Sequence, residues 1–258
     1  MLALKLFLVP SFLLLVSLAG ARWGPTVAGW LAGLPVVAGP ILFFLAIEHG
    51  ADFASGAAAA SLSAVFASVS FSLAYAHAAQ RLAWPPSLLI ALSAWGLAAG
   101  ALWWLAPGTG LSLLLALLTL LGAPRLFPAS PTAGAAHVVS AAELATRMLA
   151  GACLTLAVTA VAGRLGHGWS GLLSVFPVLG MVLAVFSQRS EGAGFVASLL
   201  CAMATGLYSF ATFCLTLSLA LPHAGIAAAF MLAACLSLTV QVISKRRLAA
   251  ARMQPARP

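Results

Sequence analysis

Acidic side chains are almost missing from this chain. Glu48, Asp52, Glu143 and Glu191 are the only four among 258 residues, and all charged residues together make up 6%. A soluble domain carries about a quarter charged residues, so the sequence leaves no room for one. Cysteine occurs as four isolated residues, Cys153, Cys201, Cys214 and Cys235, each inside an apolar segment and none with the paired spacing of a metal site. They read as small packing residues. His49, His77, His137, His167 and His223 are scattered among loops and segment ends without a ligand pair, so no metal and no cofactor is expected. The chain lacks His-Glu-x-x-His, Gly-x-Ser-x-Gly, P-loop and dinucleotide signatures, and its few acids do not converge. It does not read as an enzyme.

What fills the sequence is apolar, 63% of all residues. Such a chain lives in a bilayer, where the backbone must satisfy its own hydrogen bonds and only helices or closed barrels can cross. The apolar segments run to about twenty residues without strict alternation, so the crossing elements are helices. Nine crossings are expected, an all-α polytopic membrane helix bundle: Leu2–Ala19, Thr26–Ile47, Phe53–His77, Ser87–Leu105, Leu111–Leu126, Ala141–Ala162, Gly171–Ser187, Phe195–Leu221 and Gly225–Ile243. The fifth has a short apolar core with Pro124-Arg125 near its end, so a re-entrant segment is its alternative. The formal net charge of +8 does not imply nucleic acid, because Lys and Arg stand singly between apolar runs except at the C-terminus. They read as a topology signal. Nine crossings with the C-terminal tail inside place Arg22, Arg81, Arg125, Arg147, Arg189 and the basic tail from Lys245 on the cytoplasmic side, and leave Lys5 and Arg164 outside with the N-terminus.

The chain also repeats itself. Arg22, Gly24, Gly29, Leu31, Pro35, Val36, Phe44, Gly50, Ala51 and Phe53 recur, without a gap, as Arg164, Gly166, Gly171, Leu173, Pro177, Val178, Phe186, Gly192, Ala193 and Phe195, each 142 residues on. A duplicated unit follows. The first repeat is residues 1–106, the second with its basic tail 138–258, and 107–137 hold a connecting crossing and a small-residue loop from Pro128. Lys5, an apolar run and Ala19-Gly20-Ala21 would also suit a signal peptide, but the same offset sets Lys5 on Arg147, where no cleavage occurs. Five crossings between equivalent positions make the repeats inverted; four would make them parallel.

Pro35 and Pro40, with Gly39 beside them, interrupt the second crossing, and Pro177 with Gly180 interrupts the seventh. Proline inside a helix deletes one backbone bond and blocks another. Broken helices line the substrate site in many transporters, and packing kinks are their plainer use. Lys5 and Arg147 recur at equivalent places and are expected either to meet an anionic substrate at opposite gates or to snorkel to headgroups. Glu143 and Arg147 have the spacing of an ion pair on one helix. Glu48 and Glu191 close the second and seventh crossings beside glycine and are pathway candidates or solvated interfacial groups. The third crossing carries Ser61, Ser63, Ser68, Ser70, Ser72 and Tyr75, the eighth Thr205, Tyr208, Ser209, Thr212 and Thr216. Among so many alanines these hydroxyls read first as interhelical hydrogen-bonding groups, and second, with Tyr208 and Thr212 as candidates, as a polar path.

Arg147, then Gly171-Leu172-Leu173-Ser174-Val175-Phe176-Pro177, then the glycine of Ser190-Glu191-Gly192 resemble the GlpM-like (YdgC-like) family of small, four-helix inner-membrane proteins; Lys5, Gly29, Pro35 and Glu48-His49-Gly50 fall on the same pattern. The resemblance implies a tandem fusion of two such modules, paired antiparallel, with Leu111–Leu126 as the extra crossing. It departs at Leu34, which replaces the aromatic before the proline, and at Glu191, one position later than Glu48. Together these features point to a multi-pass protein of a bacterial-type inner membrane that moves a small or lipid-linked metabolite, an anionic one among the options, by alternating access between inverted repeats. A narrow ion channel, and a non-transport partner in envelope polysaccharide production, are the alternatives.

Overall fold

The computed structural model describes residues 2–128, 140–165 and 176–253, which form ten α-helices and, among the described residues, no strand. They are α1 Leu2–Trp23, α2 Pro25–Ala32, α3 Ala38–His49, α4 Ala51–Ala78, α5 Trp84–Leu105, α6 Thr109–Leu126, α7 Ala141–Leu165, α8 Val178–Glu191, α9 Ala193–Ala220 and α10 Ile226–Met253. Seven of them, α1, α4, α5, α6, α7, α9 and α10, are long and apolar enough to cross a membrane. The protein is a multi-pass helical membrane bundle. On α5, Trp84 and the exposed Trp104 stand about 30 Å apart at the helical rise, the depth of a hydrocarbon core with an aromatic residue at either rim. The segment Thr109–Leu126 is one unbroken helix of 18 residues rather than a re-entrant one.

The two crossings that the nine-helix expectation adds are the proline-bearing ones. Thr26–Ile47 is not continuous: the chain leaves the helix between Ala32 and Ala38 and divides it into α2 and α3. Pro35 has no N–H to donate, and its ring crowds the preceding residues out of helical geometry. Pro40 lies in the first turn of α3, where its fixed φ is tolerated; Gly39 already donates to the Pro35 carbonyl at 2.8 Å, and Pro40 has no N–H with which to continue that ladder. In the second half Pro177 caps α8, while the expected start of that crossing, Gly171 to Val175, lies outside the described residues, as do the loop 129–139 and Gly166.

The bounds of α4 and α9 coincide at the 142-residue offset. Helices α4 and α9 are each 28 residues long, and each begins after a glycine at positive φ, Gly50 at 90° and Gly192 at 87°. Side chains rarely adopt that backbone, which explains why both turns hold glycine. These two helices form the centre of the bundle and run antiparallel: Ser55 near the start of α4 donates to the carbonyl of Ser218 near the end of α9 at 2.8 Å. Helices α1 and α7 also pair antiparallel, with Leu13 against Gly151 and Ser17 against Arg147. Helices α5, α6 and α10 flank the centre and leave most of their surface to lipid. Alanine and glycine at the crossings let backbones approach closely, which is how helices associate where burial from water gives no drive.

Hydrogen bonds also fix which helix ends lie together. His77 at the end of α4 meets the Leu126 carbonyl at the end of α6 at 2.8 Å, Tyr75 of α4 donates to Gln188 near the end of α8 at 2.8 Å, and Ser17 late in α1 meets Arg147 early in α7. Arg22, Arg81, Arg125, Arg147 and Arg189 therefore share one end of the bundle.

Candidate functional site

The break between α2 and α3 meets the start of α8 in the interior. A cavity of about 200 Å³ is walled on one side by Gly33, Leu34 and Val37 and on another by Phe176, Pro177 and Gly180. Its third wall is α4, from which Ser61, Ser68 and Ser72 reach the space; its fourth is α9, with Met203, Leu207 and Phe210. Thr155 and Thr159 of α7 and Val9 of α1 complete it. Ser61 and Ser68 have Met203 and Phe210 at their equivalent positions, so one central helix offers hydroxyls and the other apolar surface.

Hydroxyl geometry decides what that polar wall can do. Ser61 donates to the Ala57 carbonyl at 2.9 Å, Ser72 to the Ser68 carbonyl at 2.9 Å, and Thr155 to the Gly151 carbonyl at 2.7 Å. Each oxygen keeps lone pairs and can accept from a guest. The Ser68 hydroxyl has no partner among the described residues. Among the described residues no charged side chain lines the cavity. It suits a small guest with one donor-bearing edge and one apolar face.

A second constellation lies toward the arginine-bearing end. Arg147 is 2% exposed. It donates to Glu143 at 2.6 Å, to Ser17 at 3.3 Å and to Ser190 at 3.4 Å, and lies 4.0 Å from a Glu191 carboxylate oxygen. Its Nε has no hydrogen-bond partner among the described residues, and its guanidinium carbon stands 5.8 Å from the Phe186 ring centre. Arg147 thus ties α7 to α1 and α8 and neither snorkels nor reaches the cavity. Glu191 ends α8, outside the seven membrane-spanning helices; burial pushes its carboxyl up to about 7, against the lowering pull of Arg147 and with a further rise from Glu143.

The remaining candidates separate. Pro177 and Gly180 line the cavity; Pro35 sits within the break that lines it, and Gly39 packs toward Phe213. Glu48 is exposed at the end of α3, unlike Glu191, and the Lys5 side chain lies outside the described residues. Tyr208 and Thr212 do not line the cavity, and Thr212 donates to the Tyr208 carbonyl at 2.8 Å. Ser209 on the same helix joins Ser237 of α10 at 2.7 Å and so bridges two helices, whereas Thr205, Thr212 and Thr216 donate to carbonyls of their own helix. Ser61, Ser68 and Ser72 depart from that reading by facing the cavity, a distinction set by how α4 is rotated against α9. Comparisons of the chain with protein-family models, with curated proteins and with solved structures return no match.

Proposed function

We propose that this protein is a transporter of a bacterial-type inner membrane, built from two inverted repeats that alternately open one central cavity to either side. One observation carries the reading: the interruption of α2/α3 and the Pro177 start of α8, equivalent in sequence, wall the same cavity. Irregular backbone at membrane depth is tolerated where it borders protein or a cavity, and paired broken helices at a repeat interface are where carriers bind their substrates. Antiparallel packing of α1 with α7 and of α4 with α9 supports inversion, since equivalent helices of parallel repeats would run the same way. The arginine-rich end is then cytoplasmic, with the N-terminus outside. A fused pair of GlpM-like modules would give this arrangement, α6 supplying the extra crossing.

The substrate that fits the described lining is small and uncharged, since a charge in the cavity would have no counter-ion among the described residues and its burial would cost several kcal/mol. An anionic substrate would need a cation that Arg147, held by its own carboxylates, does not offer there.

Thiol labelling tests this. In a protein free of native cysteines, Ser68→Cys is expected to react with a small water-soluble thiol reagent added from either side of the membrane, with reaction from one side protecting against the other. Simultaneous access from both sides would establish a channel instead. No reaction from either side, with stable co-purification of a glycosyltransferase, would leave the envelope-assembly partner as the function.

A further inference from the structure

We infer that Glu191 is a proton-binding site whose occupancy opens and closes the arginine-bearing end of the cavity. The inference rests on the transport reading above. Its basis is the charge count of the Arg147 cluster: one guanidinium faces two carboxylates, and the two are not equally served. Glu143 lies at 2.6 Å and Glu191 at 4.0 Å. With both ionised, the cluster carries one uncompensated negative charge in a place where its side chains are at most 19% exposed. Such a charge is costly away from water, and a carboxylate answers that cost most simply by taking a proton.

Other ligands fit less well. A metal ion would sit against the guanidinium it must share the carboxylates with, and a substrate anion would meet two acids. Among the described residues the surroundings supply no second cation. From α7 the facing groups are Arg147 and Glu143; α5 and α9 carry no charged residue, and the titratable groups of α9 begin at Cys201, roughly two turns past Gly192. On α1, Arg22 is exposed beside Trp23. On α8 itself Arg189 lies over Trp84. Burial that pushes the Glu191 carboxyl to about 7 agrees with the charge count.

The cluster is mechanically placed to matter. Helix α8 begins at the cavity wall, Pro177 to Gly180, and ends at Glu191; α7 carries Arg147 and, about 12 Å deeper, Thr155 of the same cavity. Ionised Glu191 attracts Arg147 and draws the ends of α7 and α8 together. Uptake of one proton from water at this end takes the cluster from a net charge of −1 to 0, leaves Arg147 to Glu143, and releases that draw. At the equivalent place in the first repeat stands His49, exposed and stacked at 4.9 Å on Phe53, so the device belongs to one end only.

Two measurements on the full-length protein in lipid nanodiscs test this. Infrared titration is expected to show a protonated carboxylic acid that ionises near neutral pH, disappears in Glu191→Gln, and in Glu143→Gln ionises about one pH unit or more lower because Arg147 turns to Glu191. Divided by the rate of a solvent-exposed reference cysteine, which removes the loss of thiolate at lower pH, the rate at which Ser68→Cys is modified from the arginine-bearing end is expected to rise about tenfold as the pH falls through that ionisation, and in Glu191→Gln to stay at the faster value whatever the pH. A missing acid band, or a band that survives Glu191→Gln, overturns the proton site. A band with a modification rate indifferent to pH overturns the gate. If Ser68→Cys reacts from neither side at any pH, the transport reading itself falls and the gate with it, while the infrared titration still decides whether Glu191 holds the proton.

Discussion

Gly33 and Gly206 meet backbone to backbone where α2 ends against α9: the α-carbon of Gly33 lies 2.9 Å from where a side chain on Gly206 would begin. One turn away, a side chain on Gly29 would run into the Leu199 carbonyl. Because Gly33 also walls the cavity, this crossing sets how closely the first break approaches the central helix. Gly33→Ala or Gly206→Ala is expected to destabilise the fold by about 1–3 kcal/mol through overpacking, whereas Gly122→Ala, in open space on α6, is expected to be neutral or slightly stabilising. Thermal unfolding of the purified variants followed by size-exclusion profile is the measurement. Equal behaviour of all three would mean the contact tolerates expansion.

Two prolines in one segment have different fates, and this separates a working break from a tolerated residue. Pro35→Ala and Pro177→Ala restore a backbone donor at the interruptions and are expected to leave the protein folded while reducing two-sided access to Ser68→Cys at least severalfold. Pro40→Ala is expected to change access far less, since it adds a donor inside the first turn of α3 and leaves the break at Pro35 in place. If Pro40→Ala impairs access as strongly as Pro35→Ala does, the break is not where function resides.

Arg147 and Arg81 share an end of the bundle, but only Arg147 is buried among carboxylates. Arg147→Ala is expected to cost about 3–5 kcal/mol, because it strands Glu143 and Glu191. Arg81→Ala, at an exposed position, is expected to lie within about 0.5 kcal/mol of the parent. Adding Glu143→Gln and Glu191→Gln to Arg147→Ala is expected to restore most of the folded yield. An unrescued triple variant would show that Arg147 acts through packing and not charge.

Stability should also depend on pH in a stated direction. The carboxyl of Glu191 is raised in the fold from 4.5 to about 7, so its ionised form is favoured by unfolding. The sign is that stability is lost as pH rises from about 4.5 through 7, the reverse of a carboxylate held by a salt bridge. Melting temperatures across that window are expected to fall more in the parent than in Glu191→Gln. Parallel curves for the two proteins would refute the assignment.

Much of the bundle is legible in the sequence because a bilayer permits few solutions: long apolar runs are helices, and glycine before Ala51 and Ala193 marks where one ends and the next begins. The break at Pro35 is legible for the same local reason. Pro40 is not, because the cost of a proline depends on its distance from the helix start, which only the location of the break reveals. The serines of α4 look alike in sequence, yet Ser63 is buried and donates to its own helix at 2.8 Å while Ser68 faces the cavity; helix rotation against α9 makes the difference. Spacing announces Glu143 and Arg147, and Glu191 stands out as one of four acids, but nothing in the chain announces that Glu191 meets Arg147, which it reaches across 44 residues through the packing of α8 on α7.

The serine wall and the methionine–phenylalanine wall occupy equivalent positions in the two halves. A pair of identical subunits related by a twofold axis must present the same residue twice, so a guest between them meets the same chemistry on both sides. Joining the halves in one chain removes that constraint. Ser68 can be changed without altering Phe210, and each wall can be tuned alone. The guest can then be held in one orientation, so a molecule with distinct ends would enter and leave with a fixed end leading.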